Sequence, residues 1–190
     1  MRVSVLLIAC FIAWLVHEWG DEKPLPDLWQ WASTRSDNST CKAFADKRPT
    51  LTSPRPISLD CKTASTGYAV VNFNFPVEKY RGKRVALFAQ VRTENVSESG
   101  RLWLRADKAD QLGVAHNSMG DRPLKGTSEW VLVVVGLDVP IDASSLMGGI
   151  SLEGSGKIAL MSPSLRPVSA GFAADESTPQ LSPSTPEVAK

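Results

Sequence analysis

The sequence predicts an all-β body, a two-layer β-sandwich or barrel, behind an apolar N-terminal helix. Three observations carry this. Between residues 68 and 106 the apolar residues recur with a period of two, the repeat of a strand that buries one face. Turn residues separate the runs at short intervals: Tyr80-Arg81-Gly82-Lys83, Ser99-Gly100, Gly120-Asp121 and Gly154-Ser155-Gly156. No segment beyond residue 19 shows a helical period. Many short strands without intervening helices pack as a sandwich or close into a barrel.

The elements follow in order. Met1-Arg2 precedes an uncharged run from Val3 to Val16, after which the chain turns acidic at Glu18, Asp21 and Glu22. Such a run reads as a signal peptide or membrane anchor, not as core. It falls short of the roughly 20 residues that span a bilayer. Yet no small-x-small cleavage site follows in LVHEWGDEK. Extended to Trp19 as a helix, residues 1–19 are about 28 Å long. Trp14 and Trp19 then meet the outer headgroups, with Arg2 on the cytoplasmic side. Leu7-Ile8-Ala9-Cys10 also resembles a bacterial lipobox. Three fates stand open: an uncleaved anchor, a cleaved signal and a lipoprotein. The anchor places the domain in the periplasm at a bacterial inner membrane; the others give a secreted protein or a lipoprotein.

Residues 20–28 (GDEKPLPDL) read as an extended linker, because two prolines and mixed charge oppose a helix. Residues 29–168 form the domain. Its first part, 29–55, shows little periodicity and room for one short strand. Tyr68 to Phe75 alternates, with Val71, Phe73 and Phe75 opposite Val70, Asn72 and Asn74. Lys83 to Thr93 repeats the pattern with Val85, Leu87, Ala89 and Val91, and Arg101 to Ala106 with Leu102 and Leu104. Trp130 to Val139 is almost continuously apolar, the signature of a strand buried on both faces. Short strands follow at 149–152 and 157–161. Residues 169–190, rich in Pro, Ser, Thr and Glu, read as a disordered tail.

Without leader and tail about 145 residues remain, one ordinary domain. The formal net charge of +1 with interspersed signs gives no electrostatic case for nucleic acid. Of the three cysteines, Cys10 lies in the leader, so Cys41 and Cys61 form the one pair available to the domain. In an oxidising compartment they are expected to bond, the alternative being two buried thiols. Two thiols lack the further ligands of a tetrahedral zinc, and no phosphate loop is present, so neither metal nor cofactor is expected.

The polar loop from Asn117 to Lys125 is the leading site candidate. Asn117, Asp121, Arg122 and Lys125 fall between strands, where a sandwich presents binding loops. The competing structural reading has Asn117 and Asp121 bond the local backbone while Arg122 pairs with a carboxylate. Trp29, Trp31, Trp103 and Trp130 offer aromatic surface for a sugar; Trp103 points away from Leu102 and Leu104, toward the exterior or beneath a loop. Catalysis finds little support. His116 is the domain's one histidine and has no GxSxG elbow with it. A glycosidase pair among Asp107, Asp110, Asp121 and Glu129 needs a spacing across a cleft that sequence does not reveal.

From Tyr80 onward the chain carries several spaced motifs: YRGKRVALFAQVRTENV, GRLWLRAD, HNSMGDRPLKGTSEW and VLVVVGLDVPIDASSLMGGISLEGSG. This layout resembles a bacterial family of galactose-binding-like, jelly-roll β-sandwich modules. The resemblance implies that fold across nearly half of the chain. It departs from the family at His116, where an aspartate is usual, and at Ile158–Pro163, where an acidic ending is usual. Those departures remove the natural polar or cation ligands of an inherited site. The reading that results is a non-enzymatic, membrane-anchored periplasmic β-sandwich that binds a protein partner in the cell envelope. The alternative is a carbohydrate-binding module for envelope glycans.

Overall fold

Arg84 to Asp107 forms a single strand of 24 residues that takes part in both layers of the fold. The computed structural model describes residues 22–35, 40–50, 52–120 and 122–172. The apolar leader, most of the tail and Asp121 lie outside the described residues. The strands are β1 (Trp29–Ser33), β2 (Cys41–Ala45), β3 (Ile57–Cys61), β4 (Tyr68–Asn74), β5 (Arg84–Asp107), β6 (Ala115–Asn117), β7 (Leu124–Asp138), β8 (Ser145–Glu153) and β9 (Gly156–Pro167). One turn of 3-10 helix, Val77–Lys79, precedes β5. Among the described residues no helix is long and apolar enough to cross a membrane.

All pairings are antiparallel. The second half of β5 pairs with β8, which pairs with β4, which pairs with β1; β6 lies on the other side of β5. This is the first layer. The first half of β5 lies between β7 and β9, and β9 continues through β3 to β2, giving the second layer. The register of β5 against β7 slips between Val91 and Gly100, and Asn95 adopts φ 52 there. Such irregularities bend a strand and raise its twist. The Ser99-Gly100 dipeptide, read from sequence as a turn, is thus inside a bent but continuous strand. Gly100 fits because a side chain there would press on Ile158, its Cβ falling 3.1 Å from the Ile158 Cδ1.

The period of two sorts the side chains. Val85, Leu87, Ala89 and Val91 point into the interface, as do Leu59, Ile158 and Leu160 from the second layer and Val71, Leu102, Leu104, Ile150 and Leu152 from the first. All are essentially solvent-free. The layers meet closely at Gly148, where an added Cβ would lie 3.0 Å from the Leu87 side chain. A well-filled interface of this kind is the main source of stability in an all-β domain.

Three further sequence expectations change. The first stretch of the domain holds two strands, β1 and β2, not one; each is too short, at five residues, to show a period. The 20–28 segment is partly incorporated, since Lys23 exchanges two backbone hydrogen bonds of 2.8 Å with Ala45. And β7 is not buried on both faces: Val133, Val135 and Leu137 are buried, whereas Leu132 is 44% exposed. Among the described residues β7 pairs only with β5, and nothing covers its outward face at Leu132.

Cys41 stands directly opposite Cys61 in the β2–β3 register, and the two form a disulfide. The bond fastens β2, the outermost strand of the second layer, to its neighbour.

Candidate binding cleft

The outward face of the second layer carries an uncommon row. The register runs from Phe44 on β2 to Ser58 on β3, Ala159 on β9 and Arg92 on β5. Trp130 on β7 completes it, the Arg92 guanidinium lying 5.4 Å from the Trp130 ring centroid. A cation over an indole face is held by the ring quadrupole. Ser58 and Ala159 in the middle are small and buried.

The loop joining β2 to β3 rises beside this row. Together they enclose a cleft of about 360 Å³, lined by Asp46, Lys47, Arg48, Arg92, Trp130 and Lys157, with Glu22, Pro49 and Pro56 at its margin. Asp46 is buried. Its carboxylate accepts hydrogen bonds from Ser58 Oγ at 2.8 Å and from the Lys47 backbone N–H at 2.7 Å, and forms an ion pair with Lys157. Burial pushes the Asp46 carboxyl up, but the Lys157, Lys47 and Ser58 donors together outweigh burial and hold it below the usual carboxylate range. Arg92 forms an ion pair with Glu94, and its Nε is buried without a hydrogen-bond partner among the described residues. Lys157 and Lys42 both lie over the Phe44 ring, at 5.4 and 4.2 Å from its centroid.

Asn117, Arg122, Lys125 and Trp103, singled out from sequence, lie elsewhere. Asn117 donates from Nδ2 to the Gly136 carbonyl at 2.9 Å and accepts from the Met119 N–H at 3.0 Å, a use within the fold. Arg101 donates to the Ser118 and Gly120 carbonyls and ties the loop to β5. Arg122 is half-buried, with its N–H donated to Met119; Lys125 is exposed at the start of β7; Asp121 lies outside the described residues. Trp103 is buried but outside the core cluster, on the opposite face of the first layer, with its Nε1 buried and unpartnered among the described residues. Asn117, Arg122, Lys125 and Trp103 do not line the cleft.

Trp29 packs on Phe73 with centroids 4.4 Å apart, and Phe73 on Phe75 at 4.7 Å, an aromatic edge to the core. Asp107 accepts from the Gly113 N–H, Ser145 and Arg105, which is a structural knot and not a free acid. His116, opposite Arg105 on β6, has its pKa lowered by burial and by the Arg105 charge. Among the described residues no three His, Cys, Asp or Glu side chains are grouped to hold a metal.

Of the cleft residues, sequence reasoning considered only Trp130. A usable signal was present: the outward positions of β5 (Phe88, Gln90, Arg92, Glu94) mix aromatic and charged residues where a plain surface strand is uniformly polar. What brings Asp46 and Lys157 to Arg92 is the β2–β3–β9–β5 strand order, which the local pattern does not encode.

No family model matches the sequence. A curated relative, an uncharacterised HTH-type transcriptional regulator of Bacillus subtilis (strain 168), is 31% identical over 91 residues, 48% of this chain. The chain spans about a third of that protein's length, 31%. Among solved structures, the CBM22-1 xylan-binding domain of Xyn10C from Paenibacillus barcinonensis superimposes with a TM-score of 0.54 at 12% identity, over 80% of this chain and 97% of that one. The family 11 carbohydrate-binding module of Lic26A-Cel5E from Clostridium thermocellum gives 0.50 at 14% identity, over 78% and 96%. An enzymatically active domain of tailspike protein 4 from bacteriophage CBA120 gives 0.54 at 14%, over 75% of this chain and 20% of that one. At such identities the likeness speaks to architecture alone, and that architecture hosts more than one task. The described residues form a β-sandwich of the jelly-roll, galactose-binding-like type.

Proposed function

We propose that the domain is a carbohydrate-binding module whose cleft on the outer face of the second layer takes a glycan. The observation that carries this reading is the convergence of Trp130 with Arg92, Lys157 and Asp46 around one concave space. A sugar ring presents an apolar face and a rim of hydroxyls. An indole with fixed donors and a fixed acceptor beside it matches both. The xylan-binding domain and the family 11 module that share the architecture support the same reading.

The proposal assigns no catalysis to the cleft. Asp46 is kept ionised by three donors, which suits accepting hydrogen bonds and not delivering a proton. The export leader, periplasmic placement and anchoring through residues 1–19 belong to the proposal on sequence grounds alone.

Affinity electrophoresis across a panel of soluble polysaccharides tests it. At least one glycan is expected to retard the protein, and Trp130→Ala is expected to weaken that binding about 30-fold, the loss typical of a central aromatic contact. Retardation that survives Trp130→Ala, with the fold intact by circular dichroism, contradicts the assignment of the cleft.

A protein partner in the envelope is the second reading. Its specific observation is the apolar strip on β7 and β5, where Leu132 is 44% exposed beside half-buried Val134 and Phe88. Crosslinking in envelopes that recovers one stoichiometric partner, lost on Leu132→Asp, would favour it.

A further inference from the structure

We infer that the cleft selects a glycan bearing carboxylates, an acidic polysaccharide and not a neutral one. This rests on the glycan reading above and goes beyond it by naming the ligand's charge. The cleft is lined by four cations, Lys47, Arg48, Arg92 and Lys157, and by two carboxylates, Asp46 and Glu22. Most of these are already matched. Lys157 is paired with Asp46, and Arg92 with Glu94. Glu22 is engaged by Lys42 at 2.9 Å, a residue that does not line the cleft. That leaves Lys47 and Arg48, adjacent in the chain and both exposed, with no ion-pair partner among the described residues.

The surplus is therefore positive and is carried by the β2–β3 loop, which lines the cleft together with Trp130. A neutral sugar gains only hydrogen bonds from two unmatched cations, whereas the carboxylate of a uronic acid stacked on Trp130 gains charge-assisted ones. Arg48 is suited to this because a guanidinium meets a carboxylate with two parallel hydrogen bonds. Nucleic acid is a poorer match. The chain's net charge is +1, without the basic stripe that phosphate backbones require.

The full chain is tested against matched pairs of glycans: glucuronoxylan with unsubstituted xylan, polygalacturonate with its carboxyl-reduced form, and oxidised cello-oligosaccharide with cello-oligosaccharide. Polyglutamate serves as an acid without sugar. The acidic member of at least one pair is expected to bind about tenfold tighter. That margin is expected to shrink as salt rises from about 50 mM to about 0.5 M. The double variant Lys47→Gln, Arg48→Gln, confined to exposed loop residues, is expected to erase the margin by weakening binding of the acidic member, and a margin that survives in the folded variant overturns the assignment to these two cations. Equal affinity for both members of every pair overturns the charge inference and leaves the glycan reading standing. Polyglutamate binding as tight as the best glycan also overturns it, by showing attraction without sugar recognition. No binding to any member removes both readings together.

Discussion

Two buried carboxylates, Asp46 and Asp107, set the acid sensitivity expected of this domain. For each, burial raises the pKa and is outweighed by donors: Lys157, Lys47 and Ser58 at Asp46, and Gly113, Ser145 and Arg105 at Asp107. Both lie below the unfolded value of about 3.9. A carboxyl depressed in the folded state contributes stability that is complete above its unfolded pKa and is lost as pH falls through the folded one. The urea midpoint is therefore expected to change little between pH 7 and 5 on their account and to drop below about pH 4. Asp107→Asn is expected to flatten that acid limb, and a midpoint with the same acid slope in the variant refutes the assignment. At pH 7, Asp46→Ala leaves Lys157 without its partner and Ser58 without its acceptor. A loss of about 2–4 kcal/mol by denaturant titration is expected.

At the scale of elements, β8 and β2 are the most exposed to single substitutions. Gly149 on β8 faces β4 so closely that an added Cβ would come within 1.9 Å of the Val71 carbonyl oxygen. Gly149→Ala must part the β4–β8 pair, and a cost above about 4 kcal/mol, or failure to fold, is expected from thermal unfolding. The disulfide ties β2 across a separation of 20 residues. Its replacement by Cys41→Ser with Cys61→Ser is expected to cost about 3 kcal/mol. Because β2 leads into the loop carrying Asp46, Lys47 and Arg48, the proposed glycan affinity is expected to fall with it. The same elements show what a sequence discloses. The alternation of Val85, Leu87, Ala89 and Val91 gives β5 and its buried face directly. The five-residue strands β1 and β2 offer too few positions for a period, and their placement depends on distant partners, Phe73 and Cys61. The apolar run of β7 misleads for a related reason. Its outward residues are apolar without being covered, and hydropathy alone does not separate a buried face from an exposed apolar one.

For the whole molecule, the class of fold is legible in the sequence while the proposed cleft is not. Period-two runs and turn spacing suffice for an all-β sandwich because they are local. The cleft needs Asp46, Arg92, Trp130 and Lys157, drawn from four separate stretches of chain, to meet on one face. The Asn117–Lys125 loop attracts notice as a polar segment, yet Asn117 and Arg101 spend their hydrogen bonds holding it in place.

The long β5 has one more consequence, for how the domain comes apart. A strand woven into both sheets cannot be peeled from one without loosening the other. Melting should be all-or-none, with indole fluorescence, ellipticity and sugar retention vanishing at one temperature. A half-melted form keeping its ligand would need β5 to be severed near Asn95, and a nick introduced there should dissolve both sheets at once.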